Sequence, residues 1–463
     1  MSDVAVVGGG MAGLAAARSL CGAGLNCTVF ESSNRLGGKV GSTRIDDITV
    51  DYGFQAFNSW YPAIKEALKP GEYASLGIKS FKPAIQTLTP DGLALIVDPI
   101  RAPHMIPQLL RSQIISALSV RDSFALQAWL RSEYSHRSSL ERRSVRKRRR
   151  AKDVPVSQSL DRSRVTNSLR RVAVDPMLRA FLYDTDGQSS AQFAKWLFVT
   201  LMRGTLGVPE HGMGDLADMM SRIPGATFEL NSPVERIYTR PSGPRAGVDI
   251  TVAGRTRHFD YAVVAIPQRA QARLLNTTMV PTRSVSTWWF AADENLPPMP
   301  FITVDGTGMT PIASATEVTA VAPAYAPGRK LVAATVVHER PLSSAGRGAQ
   351  DPELPSVAEM RQFLGLLWGV DASRWEDVTR QDIADASPIV APGMAMRSKE
   401  ELQLVDGRLG LAGEYHATPT VDGAMRSGQR AAKQIIAAAE AAGADAGPDA
   451  GPDAAGETGE GAD

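Results

Sequence analysis

The 463 residues are 43% apolar and 21% charged, ordinary values for a globular chain long enough to form two or three domains. With 50 basic and 49 acidic residues the net charge is +1, which excludes a globally basic nucleic-acid coat and a globally acidic solvating chain. Two cysteines, Cys21 and Cys27, exclude a disulfide scaffold, a cysteine-based zinc site and an iron–sulfur cluster, and fit a reducing, cytoplasmic compartment.

Met1-Ser2-Asp3 leads straight into Val4-Ala5-Val6-Val7, without the basic start and cleavage site of a secretory signal. No stretch approaches the roughly 20 apolar residues that span a bilayer, so the expected protein is soluble and at most touches a membrane surface. Val4–Val7 reads as a strand, Met11–Ala23 as an Ala/Leu-rich helix and Cys27–Glu31 as a second strand, a βαβ unit that opens a parallel sheet. Thr89–Val97 reads as strand with Pro90-Asp91-Gly92 as a turn, and Ile106–Leu130 as an amphipathic helix. Eight of the eleven residues from Arg142 to Lys152 are Arg or Lys, so the segment 137–155 is expected as an exposed helix end or disordered loop. Helical patterning resumes over Asn167–Leu182 and Ala191–Met202.

From Ala226 the pattern turns to strand: Thr227–Leu230, Val234–Thr239, a hairpin of Val248–Val252 with Thr256–Phe259, and the apolar Tyr261–Ile266. Ser284–Ala292, Phe301–Val304 and Lys330–His338 predict a second sheet, mixed or antiparallel. Strand Leu409–Ala412 and helix Val421–Ala442 follow. Residues 443–463 contain only small, acidic and proline residues and are expected to be disordered.

Gly8-Gly9-Gly10-Met11-Ala12-Gly13 carries the G-x-G-x-x-G spacing between the first strand and its helix. Gly8 permits the tight turn, Gly10 lets backbone approach a pyrophosphate, and Gly13 permits close helix–strand packing. The phosphate would rest on the free amides around Met11 and Ala12 at the positive helix end. Glu31, eighteen residues past Gly13, ends the second strand where a carboxylate accepts ribose hydroxyls.

The next residues, Glu31-Ser32-Ser33-Asn34-Arg35-Leu36-Gly37-Gly38-Lys39, resemble the second flavin signature of the flavin amine oxidase, protoporphyrinogen oxidase and phytoene desaturase superfamily. Two glycines would lie under the ribityl–diphosphate chain, with Arg35 and Lys39 supplying positive charge. Asp51-Tyr52-Gly53-Phe54-Gln55-Ala56-Phe57 is similar to the superfamily's third flavin-contact loop. Leu411-Ala412-Gly413-Glu414 and Thr420-Val421-Asp422-Gly423-Ala424-Met425-Arg426-Ser427-Gly428 are similar to its C-terminal flavin motif. The resemblance implies Glu414 near the ribityl chain, Val421 near the pyrimidine end, and the Val234 backbone at adenine, and it lies closest to a desaturase-like branch.

It further implies an α/β fold with a glutathione-reductase-like FAD-binding Rossmann domain (1–80, 205–275 and 390–442) and an inserted α+β substrate domain (81–204 and 276–389). The implied activity is dehydrogenation of an organic small molecule, in which a hydride passes to flavin N5 and oxygen or another acceptor reoxidises the flavin. Both thiols lie in the first βαβ unit, so the FAD is expected to be non-covalent. Thr420 stands where amine oxidases place one cage tyrosine, and Ala386–Val390 holds no aromatic, which counts against amine oxidation. A redox-neutral isomerase and a flavin-fold scaffold are the other readings.

Trp288, Trp289 and Phe290 lie on a predicted strand, one face of which either lines the substrate cavity or packs in the core. Tyr415 and His416 either reach the flavin edge or pack nearby. Six scattered histidines without close pairing provide no metal site. The basic run, following an amphipathic helix, reads as a solvated loop or as a contact to anionic lipid, and lacks the interleaved aromatics of a nucleic-acid surface.

Overall fold

Val4, Ala5, Val6 and Val7 are all buried, and their strand, Asp3–Val7, is the centre of a parallel sheet in the computed structural model. The structure describes residues 2–97, 120–134, 153–292, 295–339, 342, 353–394 and 402–445. Ala226–Glu229, Asn26–Phe30, Asp3–Val7, Tyr261–Val264 and Leu409–Leu411 run side by side in that order, every pairing parallel. Side chains alternate between two covered faces, which explains the unbroken apolar runs. Val4, Val6 and Val263 meet the helices Met11–Gly22 and Val421–Asp445. Ala5, Val7, Ala262 and Val264 meet a meander of Val234–Arg240, Gly247–Val252 and Arg255–Phe259. A Cβ on Gly428 would stand 1.9 Å from the Ala12 carbonyl oxygen, so the two helices cross at backbone distance.

The second sheet has seven strands, in the order Glu376–Pro388, Thr282–Ala292, Lys330–His338, Ile312–Glu317, Ile302–Asp305, Ala84–Thr89 and Gly92–Val97. It is mixed, because Ile302–Asp305 runs parallel to Ala84–Thr89 while the other pairs are antiparallel. The structure adds helices Gly214–Ser221, Gln268–Leu275 and Val357–Trp368 and strand Glu376–Pro388 to the elements read in the sequence. The turn read at Pro90-Asp91-Gly92 joins two paired strands, Ala84–Thr89 and Gly92–Val97, so the strand read over Thr89–Val97 is the second arm of a hairpin. The C-terminal helix continues through Gly443–Asp445, three residues into the expected tail, because Ala-rich sequence tolerates helix well.

Helix is described over Val120–Tyr134; the earlier part of the expected Ile106–Leu130 helix lies outside the described residues, as do the basic run 142–152 and the tail from 446. Asp153 belongs to the packed structure rather than to a loose loop. Its carboxylate accepts from Ser190 Oγ at 2.7 Å and from the Gly393 amide at 2.8 Å. Asn167–Leu169 continues through one π-helical turn, Arg170–Val174, into Asp175–Leu182. With Val156–Asp161 and Ala191–Arg203 these helices enclose a separate apolar core. Among the described residues no helix is long and apolar enough to cross a membrane.

Candidate flavin and substrate site

The strand order reverses beside Asp3–Val7, with one neighbour continuing to each side, and a crevice opens outside the carboxyl ends of these strands. Gly8 turns the chain there at φ 105°, and Gly13 lies so close that its Cβ would stand 1.9 Å from the Gly8 oxygen. Gly10 has a different environment. A Cβ on it would approach only the Gly38 Cα, at 3.8 Å, so the space beside it belongs to the cavity. Gly10 caps the helix without a side-chain hydrogen bond and no acid occupies the first turn. The helix end therefore offers uncapped amides to an anion.

Glu31, buried at the end of its strand, accepts from the Gly9 amide at 2.8 Å and from the Ser33 amide at 2.9 Å. Ser32 and Ser33 hydroxyls also reach its Oε1. The carboxylate thus joins the glycine turn to the second loop, with Ser32 beside it on the cavity wall. Gly37 pairs with Gly10 in a parallel bridge and Gly38 continues at φ 61°. Arg35 differs from its expected role against a phosphate chain. Its guanidinium stacks on Tyr52, 3.9 Å from the ring centroid, and donates to the Gly38 carbonyl at 2.8 Å. It holds the double-glycine turn from outside the cavity, because the aromatic face and the carbonyl draw it away.

Lys39 does face the cavity. It pairs with Glu414 and donates to the Ala386 carbonyl at 3.2 Å. Gln55 braces the same loop by donating to the carbonyls of Lys39 and Tyr52 at 2.7 and 2.9 Å. The Gly53 amide donates to Gln381 at 2.6 Å, and Phe54 meets Phe81 edge to face. Behind this loop Asp51 accepts from Ser42 Oγ, the Met213 amide and the Tyr325 hydroxyl; burial pushes its carboxyl up to about 6.

On the opposite wall Thr420 accepts from the Gly423 amide at 3.0 Å and so caps the helix that begins at Val421. A Cβ on Gly423 would stand 1.9 Å from the Thr418 oxygen. Asp422 accepts from the Ala63 amide and pairs with Arg426. Gly413 donates to Ser427 at 2.8 Å.

These parts border one cavity of about 640 Å³. Gly8, Gly10, Met11, Ala12, Glu31, Ser32, Gly37, Gly38, Lys39, the loop Gly53–Ala56, Val234, Gly413, Glu414, Val421 and Ala424 all line it, as do Tyr415 and Thr420. Gly13 and Arg35 stand behind the wall. Trp288, Trp289 and Phe290 correct the pocket assignment: each is completely buried. Trp288 and Phe290 pack with Leu364, Trp368 and Trp375 on one face, and Trp289 with Tyr325 and Leu331 on the other. Only the first half of their strand, through Val285 and Thr287, reaches the cavity. His416 is likewise off the wall, held to Gln271, with burial and Arg430 lowering its pKa to about 4. Tyr415 donates to the Ile266 carbonyl at 2.8 Å.

The far end of the cavity was not marked by any motif. Ala180, Phe181, Leu197, Leu201, Leu206 and Ile302 form an uncharged chamber, completed by Thr287, Thr335 and Tyr183. Tyr61 and Asp385 also line the space. Asp385 accepts from Thr282 and from Arg269, whose positive charge helps hold its carboxyl below the usual range against the opposing pull of burial. The chamber residues come from two helices, Asp175–Leu182 and Ala191–Arg203, and from four strands, Leu206–Val208, Thr282–Ala292, Ile302–Asp305 and Lys330–His338, each apolar at its own period, so no local spacing sets them apart from core.

The glycine cradle beside Gly10, the uncapped helix end and the buried Glu31 fit the phosphate and ribose of a dinucleotide. The model of the flavin containing amine oxidoreductase family matches residues 11–304, and the protein belongs to that family, whose members are FAD-dependent oxidoreductases. Over 300 residues, 59% of the chain, it is 27% identical to the carotenoid phi-ring synthase of Streptomyces griseus, and the match spans 53% of that synthase. The fold is similar to a protein of Exiguobacterium sp. 255-15 provisionally assigned as a protoporphyrinogen oxidase (TM-score 0.67, 20% identity, 94% of this chain and 99% of that one). It is also similar to a putrescine oxidase bound to putrescine (TM-score 0.63, 18% identity, 94% and 99%).

Proposed function

We propose that the protein is a FAD-dependent oxidoreductase that dehydrogenates an apolar organic small molecule. The observation that carries this reading is the continuity of one cavity from the Gly10–Glu31 crevice to the uncharged chamber on the mixed sheet. In this reading residues 1–80, 205–275 and 390–442 form a glutathione-reductase-like FAD domain, and 81–204 with 276–389 form the substrate domain. FAD, when bound, supplies the acceptor for a hydride leaving a substrate carbon and is returned to its oxidised state by oxygen or another acceptor.

The chain's own residues bind and orient. The Met11 and Ala12 amides receive the pyrophosphate, Glu31 the adenosine ribose, and the Val234 backbone the adenine. Lys39 and Glu414 flank the ribityl chain, while Gly53–Ala56 and the helix end at Val421 and Ala424 bracket the ring system. The positive helix end stabilises negative charge at the pyrimidine edge. Phe181, Leu197 and Leu201 give the substrate end an apolar wall that excludes water, and the carboxylates of Glu414 and Asp385 on the same cavity are already paired with Lys39 and Arg269, which favours an uncharged substrate over an ammonium ion.

Neither Cys21 nor Cys27 lines the cavity, which supports non-covalent binding. The protein is read as cytoplasmic, with any peripheral membrane contact made through the basic run. Purified protein should be yellow, release its flavin on mild acid treatment, and bleach anaerobically with apolar polyenes or cyclic hydrocarbons but not with alkylamines. Colourless protein that takes up no added FAD, or bleaching by amines alone, would overturn the reading.

A further inference from the structure

Tyr183 ends the helix Asp175–Leu182 in the left-handed region, at φ 56° and ψ 27°. Tyrosine seldom adopts that conformation, and glycine or asparagine usually supplies it where only a helix stop is needed. Here the amides of Tyr183 and Asp184 both donate to the Leu178 carbonyl and close the helix end around that conformation. Asp184 accepts from the amides of Asp186, Gly187 and Ser189 at 3.1, 2.7 and 3.0 Å. A bulky residue held in an unfavourable backbone state by such a network points to a role for its side chain.

The side chain sits where that role would be exercised. Tyr183 lines the cavity and packs beside Val285, Ile383 and Ala386. Its hydroxyl has no hydrogen-bond partner among the described residues, and it is not sealed from the cavity as the buried unpaired atoms are. The neighbouring wall hydroxyls of Thr287 and Thr335 satisfy one another at 3.0 Å. Burial, with the Glu414 carboxylate adding to it, pushes the Tyr183 phenol up to about 12, so at neutral pH it stays protonated and able to donate.

We propose that Tyr183 is a substrate-binding residue whose hydroxyl donates a hydrogen bond to an oxygen carried by an otherwise apolar substrate. This rests on the reading of the cavity as a flavin and substrate site. It narrows the substrate class from hydrocarbons in general to apolar molecules with a carbonyl, ether or hydroxyl oxygen. Placed at the junction of chamber and cofactor crevice, such a bond would fix which carbon faces the flavin.

The test uses flavin-loaded protein titrated with α-tetralone and with tetralin, a bicyclic pair that differs by the ketone oxygen. Binding is read from the perturbation of the flavin absorbance. The wild type should bind the ketone about five- to tenfold more tightly than the hydrocarbon. Tyr183→Phe should reduce that preference to within about twofold while leaving tetralin affinity unchanged. Tyr183→His, which tolerates positive φ and keeps an N–H donor, should retain part of it. Flavin content and melting temperature of each variant check that the fold persists. An equal preference in wild type and Tyr183→Phe, or no preference in the wild type, overturns the proposal. A wild-type protein that holds no FAD overturns the underlying reading instead.

Discussion

The Lys39 ammonium group donates a hydrogen bond to the carboxylate of Glu414, a partner 375 positions later in the chain. The pair closes the cavity wall between the second loop and the C-terminal segment. With 36% and 23% of the two side chains exposed, solvent screens it, and its worth to stability should stay below about 1 kcal/mol. Lys39→Met should therefore leave the melting temperature nearly unchanged but raise the dissociation constant for FAD about tenfold or more, measured by flavin fluorescence. A large loss of stability with unchanged FAD affinity would assign the pair to the fold rather than to the ligand.

Gly10 and Gly13 belong to one motif but should fail differently. Gly10→Val places its methyls in open cavity, so the apoprotein should fold normally and hold no FAD. Gly13→Val drives Cβ against the Gly8 carbonyl oxygen, so the helix must leave the strand and the protein should lose several kcal/mol or fail to accumulate. Circular dichroism melts of the apoproteins, paired with flavin content, separate the two outcomes.

Asp51 makes stability pH-dependent. Its folded carboxyl sits at about 6 against an ordinary 3.8, so between those values the folded protein keeps a proton that the unfolded chain has released. This contribution is fully present below pH 3.8 and is lost as the pH rises through about 6. Its full size is about 3 kcal/mol. Denaturation curves from pH 4 to 7 should show Asp51→Asn gaining relative to wild type as pH increases, whatever its offset at low pH. Parallel curves would mean that Asp51 is ionised in the folded protein throughout.

Trp288 is core, so Trp288→Ala should cost about 3–5 kcal/mol through the space it leaves. The surviving folded molecules should bind FAD as before. Phe181→Ala should do the reverse, costing less stability while enlarging the chamber and altering which apolar ligands perturb the flavin spectrum. Urea denaturation and ligand titration of both variants decide this.

The chain by itself determined the features whose physics is local. A tight turn, an approach to phosphate and close helix packing each require glycine at a stated spacing, so Gly8, Gly10 and Gly13 were legible, as was Glu31 at the end of the next strand. The alternation of strand and helix at the start identified a parallel sheet, and the apolar run Tyr261–Ile266 marked a centrally buried strand, found at Tyr261–Val264, because burial on both faces leaves no polar positions.

Tertiary structure decided what depends on the partner across a gap. Trp288, Trp289 and Phe290 are alike in sequence character to a cavity wall, yet helix Val357–Trp368 covers one face of their strand and Tyr325 the other. Arg35 was expected to face the cavity, but the Tyr52 ring and the Gly38 carbonyl hold it outside. Tyr183 carries no motif at all; its place is set by a left-handed helix end closed on the Leu178 carbonyl and by packing against Val285, on a sheet strand a hundred residues further on. Spacing along a chain reports the face of one element, whereas a cavity is the space left where several elements fail to meet.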